Sequence, residues 1–296
     1  MINKKYTTAT EVSKSPGYVF NHLIELSKWW PEEYVGEKIK LDTEFIFKTG
    51  NGHFSKNKVI EFEPNKKLAW LTTESFRETD GFDWSGTKMI VELSPKGDDT
   101  MITFTYDGVV LESEQDRLSE ICDFCIKDRL YNFIESFSTT IEVAKSPQEV
   151  FNCLTYVTKW WSEDFEGSSK NLNDEFIIHH PGQHYSKQKL VEVIPGKKIV
   201  WVVTESMLYW LQNNKQEWTN TKMIFEITTA GDKTILHFTH EGLVPEKACY
   251  VACQKGWSMI IKNWLFHFIT YGTQSPEMAK VAQIRDQILA EDKQSR

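Results

Sequence analysis

The chain repeats itself. Residues 11–30 read EVSKSPGYVFNHLIELSKWW and residues 142–161 read EVAKSPQEVFNCLTYVTKWW, identical at 12 of 20 positions with an offset of 131. The register holds from Leu41–Ile46 against Leu172–Ile177 and from His53–Ser75 against His184–Ser206. It pairs His53 with His184, Pro64 with Pro195, Trp70 with Trp201 and Glu74 with Glu205. Beyond that the offset becomes 134, matching Trp84 to Trp218 and Thr87–Ile90 to Thr221–Ile224, so three residues are added between Ser206 and Trp218. Length changes fall in surface loops, which places a loop between two strands there. A solenoid unit is ~20–50 residues; a period near 131 is a whole domain. The 296 residues therefore divide into one copy over residues 5–136, a second over 137–275, and a tail over 276–296. No Gly/Ser/Pro linker separates the copies. So short a join predicts a fixed relative placement: a monomer carrying its own pseudo-dimer, or a weak homo-oligomer.

Each copy opens with an alternating run, Thr8–Val12 or Thr140–Ala144, the pattern of a half-buried strand. Ser15-Pro16 and Ser146-Pro147 then start a helix. The hydroxyl caps free N–H groups, and proline gives up only a bond that the first turn lacks anyway. A short turn carries Trp29-Trp30 or Trp160-Trp161. Five strands follow in the first copy, over 44–48, 54–62, 67–74, 88–93 and 101–106, with Pro64-Asn65 and Lys96-Gly97-Asp98 as hairpin turns. The short connections predict an antiparallel sheet. A long apolar helix closes each copy, through Leu118, Cys122, Cys125, Leu130 and Phe133 in the first and through Cys253, Trp257, Ile261, Trp264, Leu265 and Phe268 in the second. The expected fold is α+β, a curved antiparallel sheet gripping a long C-terminal helix, duplicated in tandem. In the tail, Met278, Val281, Ile284 and Ile288 predict an extra amphipathic helix.

This order, with the S-P-x-x-V-F helix entry, the strand–turn–strand run Val191–Trp201 and the final-helix motif Cys253-Gln254-Lys255-Gly256-Trp257, resembles the START-like (SRPBCC) helix-grip superfamily. Its Hsp90-ATPase-activator-homologue branch is the nearest in pattern. Lys127-Asp128-Arg129 is taken to stand in the first copy where Lys255-Gly256-Trp257 stands in the second. The resemblance implies a cavity between sheet and final helix that holds a small hydrophobic or amphipathic ligand. It also implies two alternatives: a co-chaperone regulating an Hsp90-type ATPase in the stress response, and a cyclase-like or hydrolytic enzyme. Fold alone does not choose among them.

Composition removes other classes. The net charge of −8 does not suit a nucleic-acid binder, whose affinity rests on a basic field. No run approaches ~18 apolar residues, so no membrane span is expected. The N-terminus lacks the apolar core of a secretion signal, and five cysteines without one read as reduced cytoplasmic thiols. Cys122-x-x-Cys125 has the spacing of a redox or zinc pair, but it lies inside an apolar helical stripe and reads as core. His179 and His180 point to opposite strand faces, so neither a metal nor another cofactor is expected.

The polar constellation that remains is His53 with Glu74 and His184 with Glu205. Trp70 and Glu74 share strand parity, as do Trp201 and Glu205, so one face carries an indole and a carboxylate. A His–Glu pair in a cavity suits general acid–base work; a cross-strand bridge from the glutamate to Lys56 or Lys187 is the competing reading. The expected cavity walls are His184, Trp201, Glu205, Trp257, Trp160 and Trp264 in the second copy, and His53, Trp70, Glu74 and Trp29 in the first. With more tryptophan on its final helix, the second copy is the expected binding half.

Overall fold

In a computed structural model, residues 2–49 and 52–283 are described. The chain forms two compact units, Met1–Glu135 and Ser136–Arg296, each built on one seven-stranded antiparallel sheet. In the first unit β1 (Ile2–Val12) is followed by α1 (Pro16–Leu23), α2 (Leu26–Trp29), β2 (Glu33–Gly36), β3 (Glu44–Lys48), β4 (His53–Glu63), β5 (Lys67–Arg77), β6 (Lys88–Lys96) and β7 (Asp99–Val110). The spatial order is β1-β7-β6-β5-β4-β3-β2, so the first strand closes the sheet against the last. The final helix starts as α3 (Gln115–Asp123), passes through a π-helical stretch (Phe124–Leu130) and ends as α4 (Tyr131–Glu135). The second unit repeats this with β8 (Phe137–Val143), α5 (Pro147–Leu154), β9 (Phe165–Gly167), β10 (Glu175–His180), β11 (His184–Ile194), β12 (Lys198–Leu208), β13 (Lys222–Ala230) and β14 (Lys233–Glu241). Its final helix is α6 (Tyr250–Met259), a π stretch (Ile260–Leu265) and α7 (Phe266–Tyr271). This is a helix-grip arrangement, present twice. Among the described residues no helix is long and apolar enough to cross a membrane.

Local chemistry explains the element starts. Ser15 and Ser146 are N-caps in extended conformation with proline next. Ser146 has the stronger cap. Its Oγ accepts from the Glu149 N–H at 3.3 Å, and its own N–H donates to Glu149 Oε2 at 2.8 Å, a reciprocal capping box. Ser15 has only the single bond from the Tyr18 N–H, at 3.4 Å. The predicted strands fall within β3 to β7, and the sheet adds β2 and β9, short edge strands that no apolar alternation announces.

The grip helix of the first unit is tied to its sheet by polar bonds as well as by its apolar stripe. Asp123 accepts from the hydroxyls of Thr8 and Tyr6 on β1, and Glu135 Oε1 accepts from the Ser13 N–H at 2.6 Å. The Thr8 hydroxyl first, then the Lys127 ammonium and the Tyr6 hydroxyl, hold the Asp123 carboxyl below its ordinary range. In the tail, residues 276–283 are helical. Met278 is buried, and its N–H donates to Ser275 Oγ at 3.1 Å. Ile284 and Ile288 of the expected stripe lie outside the described residues.

The two final helices align at an offset of 135, which carries Ile126, Leu130 and Ile134 onto Ile261, Leu265 and Ile269, all buried. This corrects the motif alignment made from sequence. Cys122, not Arg129, stands where Trp257 stands, and Arg129 stands at Trp264.

The capping difference predicts unequal sensitivity. Ser146→Ala should cost about 1 kcal/mol, and Ser15→Ala clearly less, as read from urea midpoints of the two variants.

Candidate functional site

Two β-bulges set which side chains face the grip helix. On β5 Thr72 pairs with Asn57 and Glu74 with Lys56, leaving Thr73 as an extra residue. On β12 Thr204 is the extra residue between Val203 and Glu205. Each extra threonine donates its hydroxyl to the carbonyl opposite, of Lys56 or Lys187. An inserted residue reverses the alternation beyond it. Trp70, Thr72 and then Ser75 are therefore buried, whereas Glu74 is exposed. The same shift puts Glu205 on the outer face, where Tyr185 donates to it at 3.4 Å. Glu74 and Glu205 accordingly do not belong to an inner-face site. Each sits opposite a lysine in register, and Lys56 and Lys187 make their 2.8 Å ion pairs with Glu44 and Glu175 on the neighbouring strand.

In the first unit the sheet and α3 do not close on each other. A cavity of about 470 Å³ lies between them. Its apolar wall is Trp30, Phe47, Trp70, Met89, Phe104 and Leu118. Its polar floor is a buried stripe in which Thr72 Oγ1 donates to Asn57 Oδ1 at 2.9 Å and Asn57 Nδ2 donates to Ser55 Oγ at 3.2 Å. At the rim, His53 Nδ1 lies 2.7 Å from Glu32 Oε1. An ionised carboxylate only accepts, so Nδ1 carries the proton. Trp84 packs edge-on to this imidazole, at 4.9 Å between centroids. Arg77 donates to Asp80 and to Glu114 Oε1 (2.9 Å), and its guanidinium lies 4.9 Å over the Trp84 ring. The hydrogen bond that Arg77 donates to Asp80 is the largest influence raising its pKa, with Glu114 adding to it, so this rim cation is fixed.

Cys122 and Cys125 also line the cavity. Burial pushes each thiol up to about 12, so neither supplies a thiolate nucleophile near neutral pH. Trp29, expected at the cavity, lies in the core with its indole N–H donating to Leu23 O at 3.1 Å. Its neighbour Trp30 takes the wall position. Sequence reasoning missed Glu32, Arg77 and Asn57, and of the Trp-Trp pair it named Trp29 rather than Trp30. Glu32 follows the Trp-Trp turn directly, and no periodicity marks it.

The second unit is solid at the corresponding place. Trp257 projects from α6 where the first unit has Cys122, and Phe225 stands for Val91. Trp257 packs on Trp161, Phe238 and Trp218, with centroids 5.0, 4.7 and 5.8 Å away. Trp161 stacks on Trp201, which stacks on Trp160. Trp160, Trp201 and Trp257 are thus fully buried core residues and Trp264 is buried too, while His184 is only partly buried, stacked on Trp161. The rim differs as well: Leu208, buried, occupies the position of Arg77. The tryptophans that made the second half the expected binding half pack on one another here.

Two imidazoles adjoin that core, His240 fully buried and His184 partly so. His240 Nδ1 accepts from the Trp257 indole N–H at 2.9 Å. Nε2 is therefore the protonated nitrogen and donates to Thr221 Oγ1 at 2.8 Å. His184 is stacked on Trp161. Burial drives both down to about 3.

No family model matches the sequence, and no curated protein matches it. Several solved structures are similar. The Aha1 dimer from Colwellia psychrerythraea aligns with 46% of this chain and 97% of its own, at 20% identity and a TM-score of 0.38. The di-domain ARO/CYC BexL from the BE-7585A biosynthetic pathway aligns with 88% of this chain and 94% of its own, at 11% identity and a TM-score of 0.43. The di-domain ARO/CYC StfQ from the steffimycin pathway covers 87% and 93%, at 14% identity and a TM-score of 0.38.

Two outcomes follow from the solid core. In the unfolded chain His184 and His240 titrate near 6.5, so the unfolded state binds more protons between about pH 6.5 and 3. The second unit's stability is complete above that window and falls as pH drops through it, by up to ~1.4 kcal/mol per pH unit for each histidine. Their imidazole NMR resonances should stay fixed from pH 8 to 4.5 while those of exposed histidines move. Trp257→Ala should cost about 3–5 kcal/mol in chemical denaturation, since it empties the ring cluster and leaves His240 Nδ1 without its donor.

Proposed function

We propose that the first unit binds a small amphipathic molecule between its sheet and α3, and that the second unit is a filled version of the same domain without such a site. The observation that carries this is the contrast at one position of the grip helix, Cys122 beside a cavity and Trp257 inside a ring cluster. A volume of about 470 Å³ is within the ~300–1,000 Å³ usual for ligand sites, and so is the make-up, apolar walls with a few convergent polar groups. The ligand's apolar body lies against Trp30, Trp70 and Phe104. Its hydrogen-bonding end meets the Ser55–Asn57–Thr72 stripe. Arg77 is saturated by Asp80 and Glu114, so it holds the rim in shape rather than neutralising a ligand charge.

The test is to put the second unit's plug into the first. The apolar dye anilinonaphthalene sulfonate should bind the full chain with one site and quench tryptophan emission, and Cys122→Trp should weaken it at least 10-fold while leaving the circular dichroism spectrum unchanged. A ligand found by screening should raise the first unit's stability by about 2.7 kcal/mol at 100 times its Kd, and fail to do so in Cys122→Trp. Equal dye binding by both proteins would sink the proposal.

A further inference from the structure

The cavity contains a histidine arranged as a base. Glu32 Oε1 holds His53 Nδ1 at 2.7 Å, and both side chains are about four-fifths buried, at 19% exposure each. With Nδ1 protonated toward the carboxylate, Nε2 carries the lone pair, and no described residue is its partner. The ring lines the cavity and is steadied by Trp84. A carboxylate fixing the imidazole's tautomer and stabilising the imidazolium is the arrangement that makes histidine an effective general base. The second unit carries the same histidine without this geometry. His184 has its Nε2 3.2 Å from Ser186 Oγ and is enclosed by Trp161 and Trp218. The contrast separates inheritance from use.

A second group completes the site. Ser55 lies two residues along β4 from His53 on the same face, about 7 Å away. It accepts from Asn57 Nδ2, and its own proton has no acceptor among the described residues.

We infer that this cavity is a catalytic site for proton transfer at carbon, with His53 as the catalytic base, Ser55 as the hydrogen-bond donor to a developing oxyanion and Glu32 as the positioning residue. This rests on the cavity being a ligand site. The substrate class is a small, largely apolar β,γ-unsaturated carbonyl compound with an acidic hydrogen on the carbon between carbonyl and alkene. His53 Nε2 takes that proton, the C–H electron pair moves into the new C=C bond of a dienolate, and Ser55 donates to the dienolate oxygen. The imidazolium then returns the proton to a different carbon of the conjugated system. The net reaction is an isomerisation, in which one C–H bond breaks, one forms and no co-reactant is consumed.

A chemical probe tests the base without knowing the substrate. 5-Nitrobenzisoxazole loses its ring C–H proton to a base as its N–O bond breaks, giving a coloured cyanonitrophenolate; the base returns its proton to water. Occupancy is measured separately, by displacement of the bound dye. The full chain should bind the probe and turn it over. His53→Ala should lose roughly 10²-fold in rate and recover it when imidazole is added, a response that a folding defect does not give. Glu32→Gln should lower kcat with KM held, with Glu32→Asp restoring part of it. Cys122→Trp should abolish both binding and turnover, and His179→Gln, in the other unit, should change neither. A probe that is bound but turned over no faster than by the His53→Ala variant overturns the catalytic assignment and leaves the binding reading standing. A probe that neither displaces the dye nor reacts overturns both.

Discussion

Whether helix and sheet close on each other depends on one side chain near the middle of the grip helix. In the second unit Trp257 spans the gap, touching rings contributed by the Trp-Trp turn, the β12–β13 loop and β14. In the first unit Cys122 stands there and leaves the gap open. The frame around the position is the same in both: seven strands in one order, the equivalent bulge at Thr73 and Thr204, and a π-helical stretch at the same place in the final helix. The π stretch follows directly on the part of the helix that carries the plug position. Strain of that kind is often placed at functional sites.

Filling the gap has its own requirements. A buried indole N–H needs a partner or costs on the order of 1–3 kcal/mol. Trp257 meets this with His240, which passes the bond on to Thr221 and from there to the Trp218 carbonyl. The first unit has Tyr106 at the position of His240, and its hydroxyl donates to the Val109 carbonyl instead. Plug and acceptor therefore change together. Opening the cavity involves losing the tryptophan, its histidine partner and the Phe225 ring as a set, and gaining a charged rim at Arg77 where the closed unit has Leu208.

Much of the fold was legible in the residues. The repeat, the capped helix after the first strand, the antiparallel hairpins and the apolar final helix all follow from patterns a few residues long. The site was legible only in part. His53 and Trp70 do line the cavity, but the carboxylate assigned to His53 was Glu74, by counting alternate residues along β5. Thr73 breaks that count, and nothing local marks a threonine as the extra residue of a bulge. The carboxylate that does meet His53 is Glu32, 21 positions earlier.

The preference for the second unit rested on tryptophan count. Tryptophan count measures how much ring surface a unit carries, not whether the rings line a space or occupy it. From the sequence alone come the two-domain plan, the α+β class and the faces of the helices, because these depend on periodicity and on contacts near in the chain. The tertiary structure alone decides that a cavity opens beside Cys122 where Trp257 packs among rings in the second unit, and that His53 is paired with Glu32. Those outcomes depend on which side chains from distant strands and the final helix meet across the grip, where one buried ring or one inserted residue changes the result.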